Sequence, residues 1–191
     1  NRLEHRGPDE KGYIIDANVG LAHRRLSIID LVHGRQPMPN VEKDVWLTYN
    51  GEIYNYRRLK ARLEEQGCRF TTDSDTEVVL QAYMAYGEDC VQHLQGMFAF
   101  AVWDKRRQKL FMARDRLGIK PLYYAMTGSE LLFASEIKAI LAAGPIRPVF
   151  NRKVLPEYLA NRYVAGEETF FEDIYKLSPG TVLSWTPGEG G

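Results

Sequence analysis

Cysteine is scarce in this chain: Cys68 and Cys90 are the only two among 191 residues. Neither stands in a CxxC or Cys/His ligand spacing, which argues against a zinc or other metal site, and two cysteines make no disulfide framework. A reducing, cytoplasmic setting fits that usage. Both cysteines read as packing residues, since neither has a basic partner nearby in sequence. Surplus charge is also absent, with Lys+Arg and Asp+Glu both at 25. A non-specific nucleic-acid binder needs a basic face with excess positive charge, so that class is disfavoured. The local run Arg57, Arg58, Lys60 and Arg62 reads as a solvated helix face. No apolar run reaches the length of a membrane span. No signal peptide is visible, an absence of little weight in a chain that opens at Asn1 rather than Met. P-loop, dinucleotide fingerprint, internal repeat and low-complexity segment are all missing. The histidines His5, His23, His33 and His93 are scattered without metal spacing and read as structural or exposed.

What is present is a chain 45% hydrophobic and 12% aromatic, long enough for one domain with a real core. Arg6-Gly7-Pro8-Asp9 marks a turn or loop in a polar opening. Residues 19–23 and 26–29 read as short strand pieces, followed by a loop rich in Gly34, Pro37 and Pro39. The β-rich run 45–49 ends at Asn50-Gly51, a turn signal. Asn55 is a candidate cap for a helix over 56–66, with Leu59 and Leu63 one turn apart and Gly67 as its stop. Ser74-Asp75-Thr76-Glu77 has the capping-box spacing, and the helix it opens ends at Gly87. A short helix around Val91 and Leu94 follows, stopped by Gly96.

Beyond that point the period changes from helical to alternating. Residues 97–103 and 110–113 predict a hairpin across Asp104-Lys105-Arg106-Arg107. Residues 121–125 and 131–134 predict a second, with Thr127-Gly128-Ser129 at its tip. A helix is expected over 136–143, closed by Gly144-Pro145, and another from Asn151 to residue 163. Strands around Ile174 and Val182 complete the pattern. Hairpins interleaved with groups of helices predict an α+β protein built on antiparallel sheets.

Three segments place polar groups inside apolar surroundings. In Ala22-His23-Arg24-Arg25-Leu26-Ser27-Ile28-Ile29-Asp30, an arginine beside a strand can offer a fork to a carboxylate, or can make a surface ion pair. In Tyr49-Asn50-Gly51-Glu52-Ile53-Tyr54-Asn55, an Asn amide beside a Gly N–H can cradle an oxyanion, or can simply form a turn. Asp75 can hold an ammonium, or can stabilise a helix N-terminus. Spacing alone favours the plain structural reading at each.

These segments do not stand alone. Gln36-Pro37-Met38, Gln95-Gly96-Met97-Phe98-Ala99-Phe100-Ala101 and Ala113-Arg114-Asp115-Arg116-Leu117-Gly118-Ile119-Lys120-Pro121-Leu122-Tyr123 accompany them in order. Phe133-Ala134-Ser135-Glu136-Ile137-Lys138-Ala139 and Leu177-Ser178-Pro179-Gly180 follow. The chain thereby resembles the glutaminase domain of glutamine-hydrolysing asparagine synthetase, a class II glutamine amidotransferase, from about residue 6 to residue 183. The resemblance implies the four-layer αββα sandwich of the N-terminal-nucleophile hydrolases. It implies a type 2 amidotransferase domain over residues 1–185, incomplete on its N-terminal side, with 186–191 as a linker or terminal tail.

By the same resemblance, Arg25 grips the glutamine α-carboxylate and the backbone of Leu26, Ser27, Ile28 and Ile29 lines the pocket. Glu52 and Asp75 take the α-ammonium, and Asn50 and the Gly51 N–H hold the oxyanion. The family's nucleophile is an N-terminal Cys with its own α-amino group as base. No Cys precedes Arg6, so the nucleophile, with the first strand and helix, is expected outside these residues and the fragment by itself is expected to be inactive. The implied activity is hydrolysis of L-glutamine to glutamate and ammonia, which feeds ATP-dependent asparagine synthesis in the full-length protein. The implied partner is a C-terminal synthetase domain of the same chain. No cofactor is expected in this domain, while ATP and Mg are expected for the synthetase domain. A homodimer stays open, and neither nucleic acid nor membrane is an expected partner. The alternative is a glutamine-binding regulatory module of the same fold without catalysis.

Overall fold

The structure is a computed structural model that describes residues 2–17, 19–26 and 34–187. Its centre is a five-stranded antiparallel sheet with strand order β10-β6-β5-β4-β3. The strands are β3 (Met38–Pro39), β4 (Val45–Ile53), β5 (Gly96–Asp104), β6 (Lys109–Arg114) and β10 (Val182–Trp185). Both faces are apolar, and alternation along the strands sorts the side chains between two cores. Phe98, Phe100, Val102, Phe111, Val45, Leu47 and Tyr49 point to one side, where helices α1 (Tyr56–Glu65) and α2 (Asp75–Tyr86) cover them. Ala99, Ala101, Trp103, Leu110 and Met112 point to the other, against a second layer of strands.

That second layer is two small antiparallel sheets. One pairs β1 (Glu10–Asp16) with β2 (Val19–Arg25); the other has the order β8-β7-β9, from β7 (Tyr123–Thr127), β8 (Glu130–Ala134) and β9 (Tyr175–Lys176). Leu21, Leu131 and Phe133 face the central sheet. Ala125, Leu132 and Ala134 face outward, where Ile137, Ile140 and Leu141 of α3 (Ile137–Ala142) pack on them. With α1 and α2 on one outer face and α3 on the other, the layers run α, β, β, α, as the resemblance implied; a further helix, α4, spans Leu155–Asn161.

Several local expectations change. Asn50-Gly51 does not turn the chain, because β4 continues through it to Ile53, in register with β5 as far as Gly96. Gly96 is therefore a strand residue rather than a helix stop. Asn55 makes no cap bond; its side chain instead donates to the His93 carbonyl and accepts from the Gln95 N–H. Ser74 does cap α2, accepting from the Thr76 N–H. Glu77, however, completes no capping box, because its carboxylate accepts from the backbone and hydroxyl groups of Thr71 and Thr72. The helix expected from Asn151 is a 3-10 turn, Arg152–Val154, leading into α4, which ends at left-handed Arg162. β1 forms where no strand was expected and β3 lies within the loop expected around Pro37 and Pro39, and residues 27–29 of the strand piece expected at 26–29 fall outside the described residues.

Candidate functional site

Arg25 is the last residue of β2, paired in register with Glu10 of β1. A 3-10 turn, Glu4–Arg6, leads the chain past β2, so closely that a Cβ on Gly7 would overlap the Arg24 backbone. The Asp9 N–H then donates to the Arg25 carbonyl. Arg25 is 7% exposed and its Nη1 lies 3.4 Å from Glu10 Oε2. Arg35 reaches the other oxygen of the same carboxylate at 3.0 Å, so Glu10 organises two cations.

The end of β4 supplies the next groups. β3 stops pairing at Met38, opposite Leu47, which leaves the rest of that β4 edge to other acceptors. The Tyr49 N–H donates to Gln36 Oε1 at 2.6 Å and the Ile53 N–H to Asp75 Oδ2 at 3.1 Å. Amides two apart in a strand point the same way, so the Gly51 N–H lies on this edge between them. The facing residue agrees: the Phe98 N–H and carbonyl are both turned to Asp115, away from β4. Gly51 and Phe98 thus form a pair without mutual hydrogen bonds, the closer-spaced kind in an antiparallel ladder.

Asp75 is the first residue of α2 and 4% exposed. A helix N-terminus suits an acidic side chain. Its Oδ2 accepts a second hydrogen bond, from the Tyr49 hydroxyl at 2.7 Å. Burial, then the Asp75 carboxylate, then Glu52 push the Tyr49 phenol far above its ordinary pKa, so it stays a donor.

Arg25, Leu26, Asn50, Gly51, Glu52 and Asp75 all line one cleft of about 510 Å³. Ser27, Ile28 and Ile29, also expected there, lie outside the described residues. His23, Gln36 and Thr48 line the same cleft and were not singled out for it. Alternation could have found two of them: His23 is two residues from Arg25 on β2, and Thr48 two from Asn50 on β4. His23 Nδ1 lies 3.1 Å from Thr48 Oγ1. Burial, and secondarily the Arg25 guanidinium, lower the His23 pKa from 6.5 to about 4, so the ring is neutral near pH 7. Neither cysteine lines the cleft. Cys90 is buried in the helix-side core, Cys68 packs at the margin of that core, and burial pushes the Cys90 thiol up to about 12. Among the described residues no group of three or more His, Cys, Asp or Glu is placed to hold a metal ion. No helix among them is long and apolar enough to cross a membrane. The cleft combines cationic side chains, Arg25 among them, with two carboxylates and neutral donors, which is chemistry suited to an amino-acid zwitterion and a polarised carbonyl.

The αββα layers and this cleft define the class, an amidotransferase of the N-terminal-nucleophile hydrolase type. Within that class, the chain belongs to the glutamine amidotransferase domain family, whose model matches residues 1–190. It is 42% identical over 185 residues to asparagine synthetase [glutamine-hydrolyzing] 1 of Bacillus subtilis (strain 168), covering 97% of this chain and 29% of that protein. It is 43% identical over 190 residues to the amidase chry2 of Gibberella zeae, covering 98% of this chain and 28% of that protein. Among solved structures, the glutamine phosphoribosylpyrophosphate amidotransferase from B. subtilis superposes with a TM-score of 0.56 at 27% identity, over 65% of this chain and 29% of that one. The chain thus spans less than a third of the length of these two curated relatives.

Proposed function

We propose that the cleft binds L-glutamine and that the domain hydrolyses its side-chain amide to glutamate and ammonia. The observation that carries this reading is the edge of β4. Its Tyr49 and Ile53 N–H groups are taken by side chains, while Gly51, between them, lines the cleft beside Asn50. Arg25 then takes the substrate α-carboxylate, for which a guanidinium is the matching fork. Asp75 and Glu52 take the α-ammonium. Held by both ends of its head group, glutamine presents its amide to Asn50 and Gly51. Attack on the amide carbon by the thiolate that the family resemblance implies places negative charge on the amide oxygen. The Asn50 amide and the Gly51 N–H donate to that oxygen as the charge develops. Ammonia leaves, and water hydrolyses the resulting thioester. The neutral His23 ring adds no charge of its own beside Arg25.

In the longer protein the ammonia feeds a C-terminal synthetase domain that uses ATP and Mg to make asparagine from aspartate. The name of the Bacillus subtilis relative, asparagine synthetase [glutamine-hydrolyzing] 1, supports that acceptor. The test is ammonia release from L-glutamine by the whole protein that carries this domain, alongside calorimetric titration of the domain with L-glutamine. Release and binding are expected; absence of both sinks the reading.

A further inference from the structure

We infer that Tyr49 is a positioning residue for substrate, acting through Asp75 to set the ammonium end of the glutamine site. The inference rests on the reading that Asp75 takes the α-ammonium. Tyr49 and Ile53 lie on the helix side of β4, and each donates to the same carboxylate oxygen, Asp75 Oδ2, at 2.7 and 3.1 Å. Two donors on one oxygen fix both the position and the rotation of the carboxylate. They leave Oδ1 as the oxygen that turns toward the cleft Asp75 lines.

The two donors differ in kind. The Ile53 amide is fixed by the strand and would serve with any side chain at 53. The Tyr49 hydroxyl is a side-chain choice, brought 26 residues along the chain from Asp75. It is 4% exposed, so water does not replace it. Its ring packs with Leu47, Ile53 and the α2 side chains in the helix-side core, which holds the hydroxyl where it is. The Tyr49 N–H donates to Gln36 Oε1, so the same residue closes the β4 edge on one side of Gly51 and orients Asp75 on the other face of the strand. A rotated carboxylate would offer the ammonium a poorer acceptor while leaving the α-carboxylate and side-chain contacts intact. The role therefore predicts a loss confined to ligands that carry an α-amino group.

The test is calorimetric titration of the 191-residue chain and its variants Tyr49→Phe and Asp75→Asn with two ligands, L-glutamine and 4-carbamoylbutanoate, which is glutamine without its α-amino group. Tyr49→Phe keeps the ring and deletes only the hydroxyl. The wild type is expected to prefer L-glutamine. In Tyr49→Phe, L-glutamine affinity is expected to fall roughly 3- to 10-fold, because the Ile53 donor remains and only one charge-assisted hydrogen bond is lost. Affinity for 4-carbamoylbutanoate is expected to stay within about twofold, and Asp75→Asn is expected to abolish the preference. An equal loss for both ligands in Tyr49→Phe would make the hydroxyl a general structural strut and overturn the inference. So would a Tyr49→Phe that matches wild type with both ligands while Asp75→Asn loses the preference. If wild type binds no glutamine, or Asp75→Asn keeps the preference, the ammonium role of Asp75 itself is wrong and the inference falls with it.

Discussion

Gly51 and Phe98 face each other across the β4–β5 ladder, and there is no room between them for a methyl group. A Cβ on Gly51 would overlap the Met97 carbonyl oxygen and lie 2.8 Å from the Phe98 Cα. Those neighbours are backbone atoms of a central strand and cannot swing aside as a side chain can. Gly51→Ala is therefore expected to lower stability by about 2–3 kcal/mol, an overpacking cost, read as a lower urea midpoint at unchanged slope. It should also shift the β4 edge that carries the Gly51 N–H. An alanine variant as stable as wild type would show that β4 and β5 can separate here without penalty.

Asn50 is the neighbouring donor, and its contribution is expected mainly in the transition state, where negative charge appears on the amide oxygen. Asn50→Ala in the whole protein should lower the turnover number for glutamine by roughly 10²–10³, the usual effect of losing one oxyanion donor. The Michaelis constant should change little, since the ground-state carbonyl is bound weakly by comparison. Rates of ammonia release over a glutamine series separate the two constants. Turnover near wild type would remove Asn50 from the oxyanion role.

Arg25 is expected to act on the opposite end of the substrate. Arg25→Ala should weaken L-glutamine binding roughly 10- to 100-fold, and Arg25→Lys should recover only part of it, because an ammonium offers a point charge in place of a fork. The Glu10 partner keeps its contact with Arg35, so the fold should survive. L-glutaminamide, which lacks the α-carboxylate, is the control: its affinity should not fall in Arg25→Ala. A fall as large as that for L-glutamine would mean that Arg25 shapes the cleft rather than gripping a carboxylate.

The sequence showed the scaffold well wherever a pattern repeats. Alternating apolar residues marked β5 and β6, and the one-turn spacing of Leu59 and Leu63 marked α1, because burial imposes those periods. It misled where the same residues serve two purposes. Asn50-Gly51 looks like a turn because Gly tolerates turn geometry; here Gly is required by close strand approach instead. Glu77 has the spacing of a capping box, but four donors from Thr71 and Thr72 outcompete the Ser74 amide for its carboxylate. β1 is half-exposed and β3 is two residues long, so neither carries a strong hydrophobic pattern. For the cleft, the charged members were legible from ordered motifs. Tyr49, which reads as a plain strand residue, was not, because its meaning depends on a contact with a helix 26 residues away.

His23 gives the cleft a pH signature. Folding lowers its pKa from 6.5 to about 4, through burial and then the nearby Arg25 charge. Between those values the unfolded chain binds a proton that the folded chain refuses, so stability rises with pH across this window. The His23 contribution is complete above about pH 6.5 and is lost as pH falls through about 4, amounting to about 3 kcal/mol. Glu136 acts in a lower window. Burial alone would raise its pKa, but hydrogen bonds from Lys138, His5 and Arg6 outweigh that and lower it from 4.5 to about 2, so its share is present above pH 4.5 and lost toward 2. Urea unfolding of wild type and His23→Gln at a series of pH values from 7 to 4 isolates the histidine, since other groups cancel in the difference. The stability gap between the two proteins should move toward the glutamine variant as pH drops from about 6.5 to about 4. A gap that does not change with pH would mean that His23 titrates alike in both states, and that the ring is not held neutral beside Arg25.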